Sequence, residues 1–294
     1  MNIMIGCEYY LYLFNGQCWR LTASGDASLL LKKMAQIMRL GSDGQDCKRL
    51  SFIKCDPGTS DYEAYIPDDL PKKGWIVKKY NPVRLLYHNK LPDIICNIGT
   101  GLTQNEEYVS MDCALIPIIE QVIRTKGAVF HSGLIVRDGC GVLLMAPSGV
   151  GKSTCCRRVS WPWKAWCDDH LLLVLGEDGW YHAHPLPTWV ELIAGGKDMI
   201  WDVQAHVPVK AIFLLEQSER DEVIPINSVM AALAVYNSAL RGCMNIHLEE
   251  DDKYRADSRG LIFNNVCDML KKIPTFTLRV SKDGKFWEEI ESVL

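Results

Sequence analysis

The chain has 294 residues, 48% of them hydrophobic and 23% charged, ordinary proportions for a globular protein of one or two domains. Its net charge of −4 lacks the basic footprint of a nucleic-acid partner, and no apolar run approaches the roughly 20 residues that span a bilayer. Glu8 and the absence of a basic flank argue against a secretory signal, and the twelve cysteines show neither CxxC spacing nor a Cys/His cluster. They are expected to be reduced thiols of a cytoplasmic protein rather than zinc ligands or disulfides.

Residues 9–23, YYLYLFNGQCWRLTA, predict a β-hairpin turning at Asn15-Gly16, the pair favoured in type I′ turns. Residues 27–40 carry apolar side chains at helical spacing and predict a helix packed over that hairpin. Short strands are predicted in 49–55, 74–80 and 83–88, with a polar, proline-containing loop from Asp56 to Lys73. Near residue 109 the pattern changes. Residues 110–127 predict one helix that starts near Ser110 or Asp112 and stops at Gly127. Residues 128–146 predict two strands joined around Asp138-Gly139. A helix from about 151, a strand at 165–168 and a hairpin turning at Glu177-Asp178-Gly179 follow. Then come a strand at 211–217, helices near 227–240 and 258–272, a strand at 275–280 and a closing helix at 284–293. The expected fold is α/β: a smaller α+β N-terminal region, 1–108, before a nucleotide-binding core with a mixed sheet, 109–294.

The core carries Ala146-Pro147-Ser148-Gly149-Val150-Gly151-Lys152-Ser153-Thr154, a phosphate-loop pattern with Ala in place of the first Gly. It follows the predicted strand GVLLMA and opens a predicted helix, the context such a loop requires. Gly149 and Gly151 allow the backbone N–H groups to turn inward around anionic oxygens. Ser148, Gly149, Val150, Gly151, Lys152, Ser153 and Thr154 are therefore the expected nucleotide-binding residues. Lys152 would reach the β- and γ-phosphates, and the Ser153 hydroxyl suits Mg²⁺.

Many proteins own such a loop. A GTPase needs Asn-Lys-x-Asp downstream, but the nearest match, residues 89–93, lies upstream. Motor ATPases place their metal-binding acid much farther along. Here Asp168 and Asp169 stand 15 and 16 residues after Ser153, just enough for a helix and a returning strand. Both carboxylates are thus expected at the carboxyl end of a strand beside the loop, where ligands bind in open α/β sheets. Neighbouring strand residues face opposite ways, so one would meet the acceptor and the other the metal. A base near a γ-phosphate and a hydroxyl is what phosphoryl transfer to an alcohol needs.

The run FHSGLIVRDGCGVLLMAPSGVGKST followed by WCDDHLLLV resembles the HPr serine kinase/phosphorylase family over about residues 126–176. PLPTW at 185–189 and FWEEIESVL near the end look closer to a divergent branch. That branch holds peptide-cassette proteins of the SynChlorMet cassette protein C type and lasso-peptide precursor kinases. The resemblance implies an ATP- and Mg²⁺-dependent kinase acting on a serine of a peptide or small protein. It makes Asp168 the base, gives Asp169 to the metal with Ser153, and sets His131 near the transferred phosphate. It also suggests Thr188 and Trp189 as lining of an acceptor groove and leaves self-association open; residues 1–105 show no match to the family, and residues 1–108 are expected to serve substrate or leader recognition. Two positions depart from the family: Thr154 stands where it has Glu, and ELIAGG at 191–196 lacks the Arg of its Glu-Ile-Arg-Gly-Leu-Gly signature. They leave open the reverse reaction, HPr recognition and a metal role for Glu191. Two other readings use the same residues: a nucleotide-regulated module that delivers a peptide without phosphotransfer, and a small-molecule kinase.

Overall fold

The strand β1 (Cys7–Tyr12) pairs with β2 (Cys18–Ala23), in which buried residues alternate, as an antiparallel hairpin. The computed structural model describes residues 6–56, 59, 62–196, 199–243 and 252–294. The hairpin turn differs from the expected type I′ form, which needs positive φ at both central residues. Leu13 and Gln17 close it by a 2.9 Å backbone hydrogen bond, and Gly16 alone takes a positive φ, 77°.

Contacts divide the chain into two units. The first holds the described residues up to Ile118 with those of Trp189–Gln204. The second holds Ile119–Thr188 with the described residues of Ala205–Met244 and Asp251–Leu294.

In the first unit, α1 (Ala27–Met38) buries Leu30, Leu31, Met34 and Met38 and ends where Arg39 turns left-handed. The strands β3 (Lys48–Lys54), β4 (Trp75–Tyr80), β5 (Val83–His88) and β6 (Ile94–Ile98) complete a sheet of order β1-β2-β3-β6-β5-β4. All five residues of β6 are buried, so its sequence shows an apolar run rather than an alternation, and it was not among the predicted strands. The helix α2 (Gln104–Ala114) starts six residues before the expected helix, because Thr103 and Glu106 form a capping box. The expected single helix is two, since Pro117 has no N–H to continue the ladder, and α3 (Ile116–Arg124) follows separately. The short α5 (Trp189–Ile193) packs on α2, Trp201 donates its backbone N–H to the Ile37 carbonyl at 2.8 Å, and Arg39 pairs with Asp202 at 3.3 Å. These contacts return residues 189–204 to the first unit.

Cys18 and Cys47 form a disulfide with a Cα separation of 5.1 Å, which corrects the expectation that every thiol is free. They precede Trp19 and Lys48, in-register partners of the parallel pair β2–β3. Spacing in the chain could not reveal that neighbourhood.

The second unit is built on a mixed sheet of eight described strands. Its order is β11 (Tyr181–Pro185), β10 (His170–Leu175), β7 (Ala128–Arg137), β8 (Cys140–Met145), β12 (Val207–Gln217), β14 (Thr275–Val280) and β13 (Glu222–Pro225). The strand β9 (Lys164–Cys167) lies against β7, and β11 also touches the start of β12. The pair β8–β12 and the pair β12–β14 are parallel, while β7 is antiparallel to its neighbours. The helices α6 (Ser228–Gly242) and α7 (Asp252–Leu270) pack together and against β7.

Val142, Leu144, Ala211, Phe213 and Leu278 bury one face against Cys155, Cys156 and Trp163 and against Phe286 and Ile290 of α8 (Phe286–Glu291). Burial makes these thiols packing groups; it pushes the Cys156 thiol up to about 12. Phe213 is fully buried, so Phe213→Ala is expected to destabilise the protein by about 3–5 kcal/mol, read as a lower urea midpoint with an unchanged slope.

Candidate functional site

The site is confined to the second unit and begins where β8 ends. Ala146–Gly151 turn away from the sheet and α4 (Lys152–Arg158) starts at once. Gly149 and Gly151 take φ of 85° and 116°, which side-chain-bearing residues rarely adopt, and nothing lies within 4 Å of where a Cβ would stand. The space beside both glycines, where side chains would stand, is open. Gln217, closing β12, anchors it by donating to the Val150 carbonyl at 3.0 Å. Ser148 and Thr154 are exposed, and Ser153 is half-buried.

Lys152 is buried, 7% exposed. Its stem lies over β7 because position 133 is glycine. A Cβ there would stand 2.5 Å from Cys156 Sγ and 3.6 Å from Lys152 Cγ, so a larger residue would require the Cys156 side chain to shift. Lys152 Nζ donates to the Asp168 carbonyl at 2.6 Å and stands 3.8 Å from Asp169 Oδ1. The loop lysine and the acid pair, separated by a helix and a strand in sequence, thus meet in space.

The route differs from the simplest expectation. The acid pair closes β9, yet β9 is not the neighbour of β8: β7 lies between them, antiparallel to both. The pair sits where β9 passes into β10 along the same edge of β7, and Ser132 donates its backbone N–H to the Asp169 carbonyl at 2.8 Å. That bond holds the junction opposite residues 131–132.

The two carboxylates have separate partners, as adjacent extended residues require. Asp168 accepts from the buried Thr188 hydroxyl at 3.1 Å. Asp169 Oδ1 accepts from His131 Nδ1 at 2.9 Å, and its Oδ2 from His170 Nδ1 at 2.8 Å. His131 and His170 are direct cross-strand partners of β7 and β10, so their imidazoles rise from the same side of the sheet. Burial opposes the charge on Asp169, but the hydrogen bonds from His131 and His170 outweigh it and hold the carboxyl well below the usual carboxylate range.

A depressed carboxyl stabilises the fold fully above its unfolded pKa of about 4 and loses that contribution as pH falls below it. The stability gap between wild type and Asp169→Asn, measured by urea unfolding, is therefore expected to be widest at neutral pH and to shrink progressively below about pH 4. An unchanged gap at acid pH would show that the charge on Asp169 is not what stabilises the native state.

Of the expected site residues, Lys152, Asp168, Asp169 and His131 come together, with the loop Ser148–Thr154 leading into them. Glu191 belongs to the first unit. Thr188 holds Asp168 directly, a contact with no local sequence signal because twenty residues separate the partners. His170 is legible only as a neighbour of the acid pair; its pairing with His131 is a product of sheet register.

A mixed α/β protein whose mixed sheet carries a lysine-bearing glycine loop beside a half-buried acid pair is the class that fold and site define. Within that class the chain belongs to the family of SynChlorMet cassette protein ScmC, whose family model matches residues 94–294. No curated protein matches the chain. Among the described residues no helix is long and apolar enough to cross a membrane.

Proposed function

We propose that the chain is an ATP- and Mg²⁺-dependent kinase of HPr-kinase-like phosphate-loop type, transferring the γ-phosphate to a hydroxyl, in the first instance a serine of a peptide or small protein. The observation that carries this reading is the meeting of Lys152 with Asp168 and Asp169 at the mouth of the glycine loop. The positive φ of Gly149 and Gly151 and the open space beside them suit a loop that wraps a polyphosphate, and half-buried Ser153 suits a hard cation held with it.

In this reading the loop N–H groups and Lys152 bind the β- and γ-phosphates and neutralise charge that builds up in transfer. Ser153 and Asp169 would hold Mg²⁺, which would supply further charge neutralisation there. Asp168 accepts the proton of the acceptor hydroxyl as that oxygen forms its bond to the γ-phosphorus. The bond from that phosphorus to the bridging oxygen breaks, and ADP leaves. Thr188 keeps the Asp168 carboxylate pointed at the acceptor by occupying one oxygen. His131 turns Asp169 toward the phosphate end.

Incubation with ATP, Mg²⁺ and serine-containing peptides encoded beside the gene, read by mass spectrometry, tests the assignment. A phosphoserine product is expected. Tight ATP binding with no phosphorylated peptide would instead favour a nucleotide-regulated delivery module, and transfer to a small alcohol alone would favour a small-molecule kinase.

A further inference from the structure

We propose that His131, Asp169 and His170 form a binding site for a first-row divalent transition-metal cation of the Zn²⁺ or Co²⁺ kind. One ligand atom from each residue can be chosen so that all lie within 4.8 Å of one another, and among the described residues no other group of three such side chains converges in this way. The three side chains are 19%, 15% and 30% exposed, sheltered enough to hold their geometry yet reachable from solvent. Asp169 sits in the two-residue bend between β9 and β10, and strands fix the other two. Two of them are register partners on adjacent strands, and the third is fixed by the backbone hydrogen bond from Ser132.

The ligand types select the cation. Two imidazoles with one carboxylate suit zinc, cobalt or manganese, whereas magnesium demands oxygen ligands and keeps its waters. Both imidazoles already present Nδ1 to the carboxylate, at 2.9 and 2.8 Å. A cation entering there replaces two N–H···O hydrogen bonds by two N–metal bonds. Each ring then carries no proton on the nitrogen that meets the metal. Lys152 Nζ, 3.8 Å from Asp169, is the nearby positive charge that opposes the ion. That repulsion is relieved when the ammonium turns toward an anion in the loop. Cation and polyphosphate should thus bind with mutual support. What the cation would do rests on the phosphotransfer reading; that it binds does not.

The test is therefore run without nucleotide. Apo protein is titrated with Co²⁺ and with Zn²⁺, following the visible cobalt spectrum and the heat of binding, with Mg²⁺ as control. One cation per chain is expected, without the intense near-ultraviolet band of a cobalt–thiolate bond, and Mg²⁺ should not compete. Affinity should fall at least about tenfold in His170→Gln and in His131→Gln. Circular dichroism confirms that each variant folds, and His170→Gln, at the more exposed position, serves alone if the other does not. Absence of binding, a thiolate band from the cysteines, or an affinity untouched by His170→Gln would each overturn the site. Phosphotransfer with Mg²⁺ alone would leave the kinase reading intact even then.

Discussion

Replacing Asp168 by Asn is expected to lower phosphotransfer by about 10²–10⁴-fold while leaving ATP affinity close to that of the wild type. The substitution keeps the shape of the side chain and its acceptor oxygen for the Thr188 hydroxyl, 3.1 Å away, so the local fold should persist. It removes only the capacity to take the acceptor proton. Single-turnover phosphorylation of a serine peptide, alongside ATP binding by calorimetry, separates the two effects. Full transfer by Asp168→Asn would remove Asp168 from the base role and direct attention to His131, whose Nδ1 is oriented by Asp169 in the way a catalytic imidazole is oriented by a carboxylate. Thr188→Val is the companion variant. It leaves the carboxylate charged but frees it to turn, so it should reduce transfer less than Asp168→Asn does, with rescue by Thr188→Ser.

Lys152→Met carries the second large effect. Met reproduces the apolar stem that lies over Gly133 but carries no charge, so α4 should stay on the sheet. Losing a preorganised cation aimed at developing phosphate charge costs about 10²–10³-fold in turnover. Here ATP affinity should fall as well, because the same ammonium serves ground state and transition state. The pair of variants therefore gives a diagnostic pattern: Asp168→Asn in turnover alone, Lys152→Met in turnover and binding together. A Lys152→Met protein that binds ATP and transfers phosphate as the wild type does would show that the glycine loop is a structural turn.

The loop and the acid pair could be read from the chain because they are local patterns. A glycine at each point where φ must be positive, a lysine next to the last of them and a strand before it lie within a dozen residues, and short-range sterics leave little choice. The β-hairpin of Cys7–Ala23 and the strands β7 and β8 were legible for the same reason, since their turn residues and apolar periodicity sit side by side. Where the reading departed from the structure, a single residue usually outweighed the periodicity. Pro117 split one apolar run into α2 and α3, and the capping box of Thr103 and Glu106 moved the helix start upstream of the apolar residues.

By itself, then, the sequence determined the mixed α/β character, the glycine loop with Lys152 at its end and the presence of two carboxylates one short crossover later. Each depends on residues a few positions apart. Only the tertiary structure decided that β7 intervenes between β8 and β9, and that Cys18 meets Cys47 across parallel strands. The same is true of Thr188 holding Asp168 and of His131 and His170 closing on Asp169 from opposite oxygens. These are matters of sheet order and register. Both are set by the summed burial of many distant side chains, among them Leu144, Ile135 and Phe213, and no short stretch of chain contains that sum.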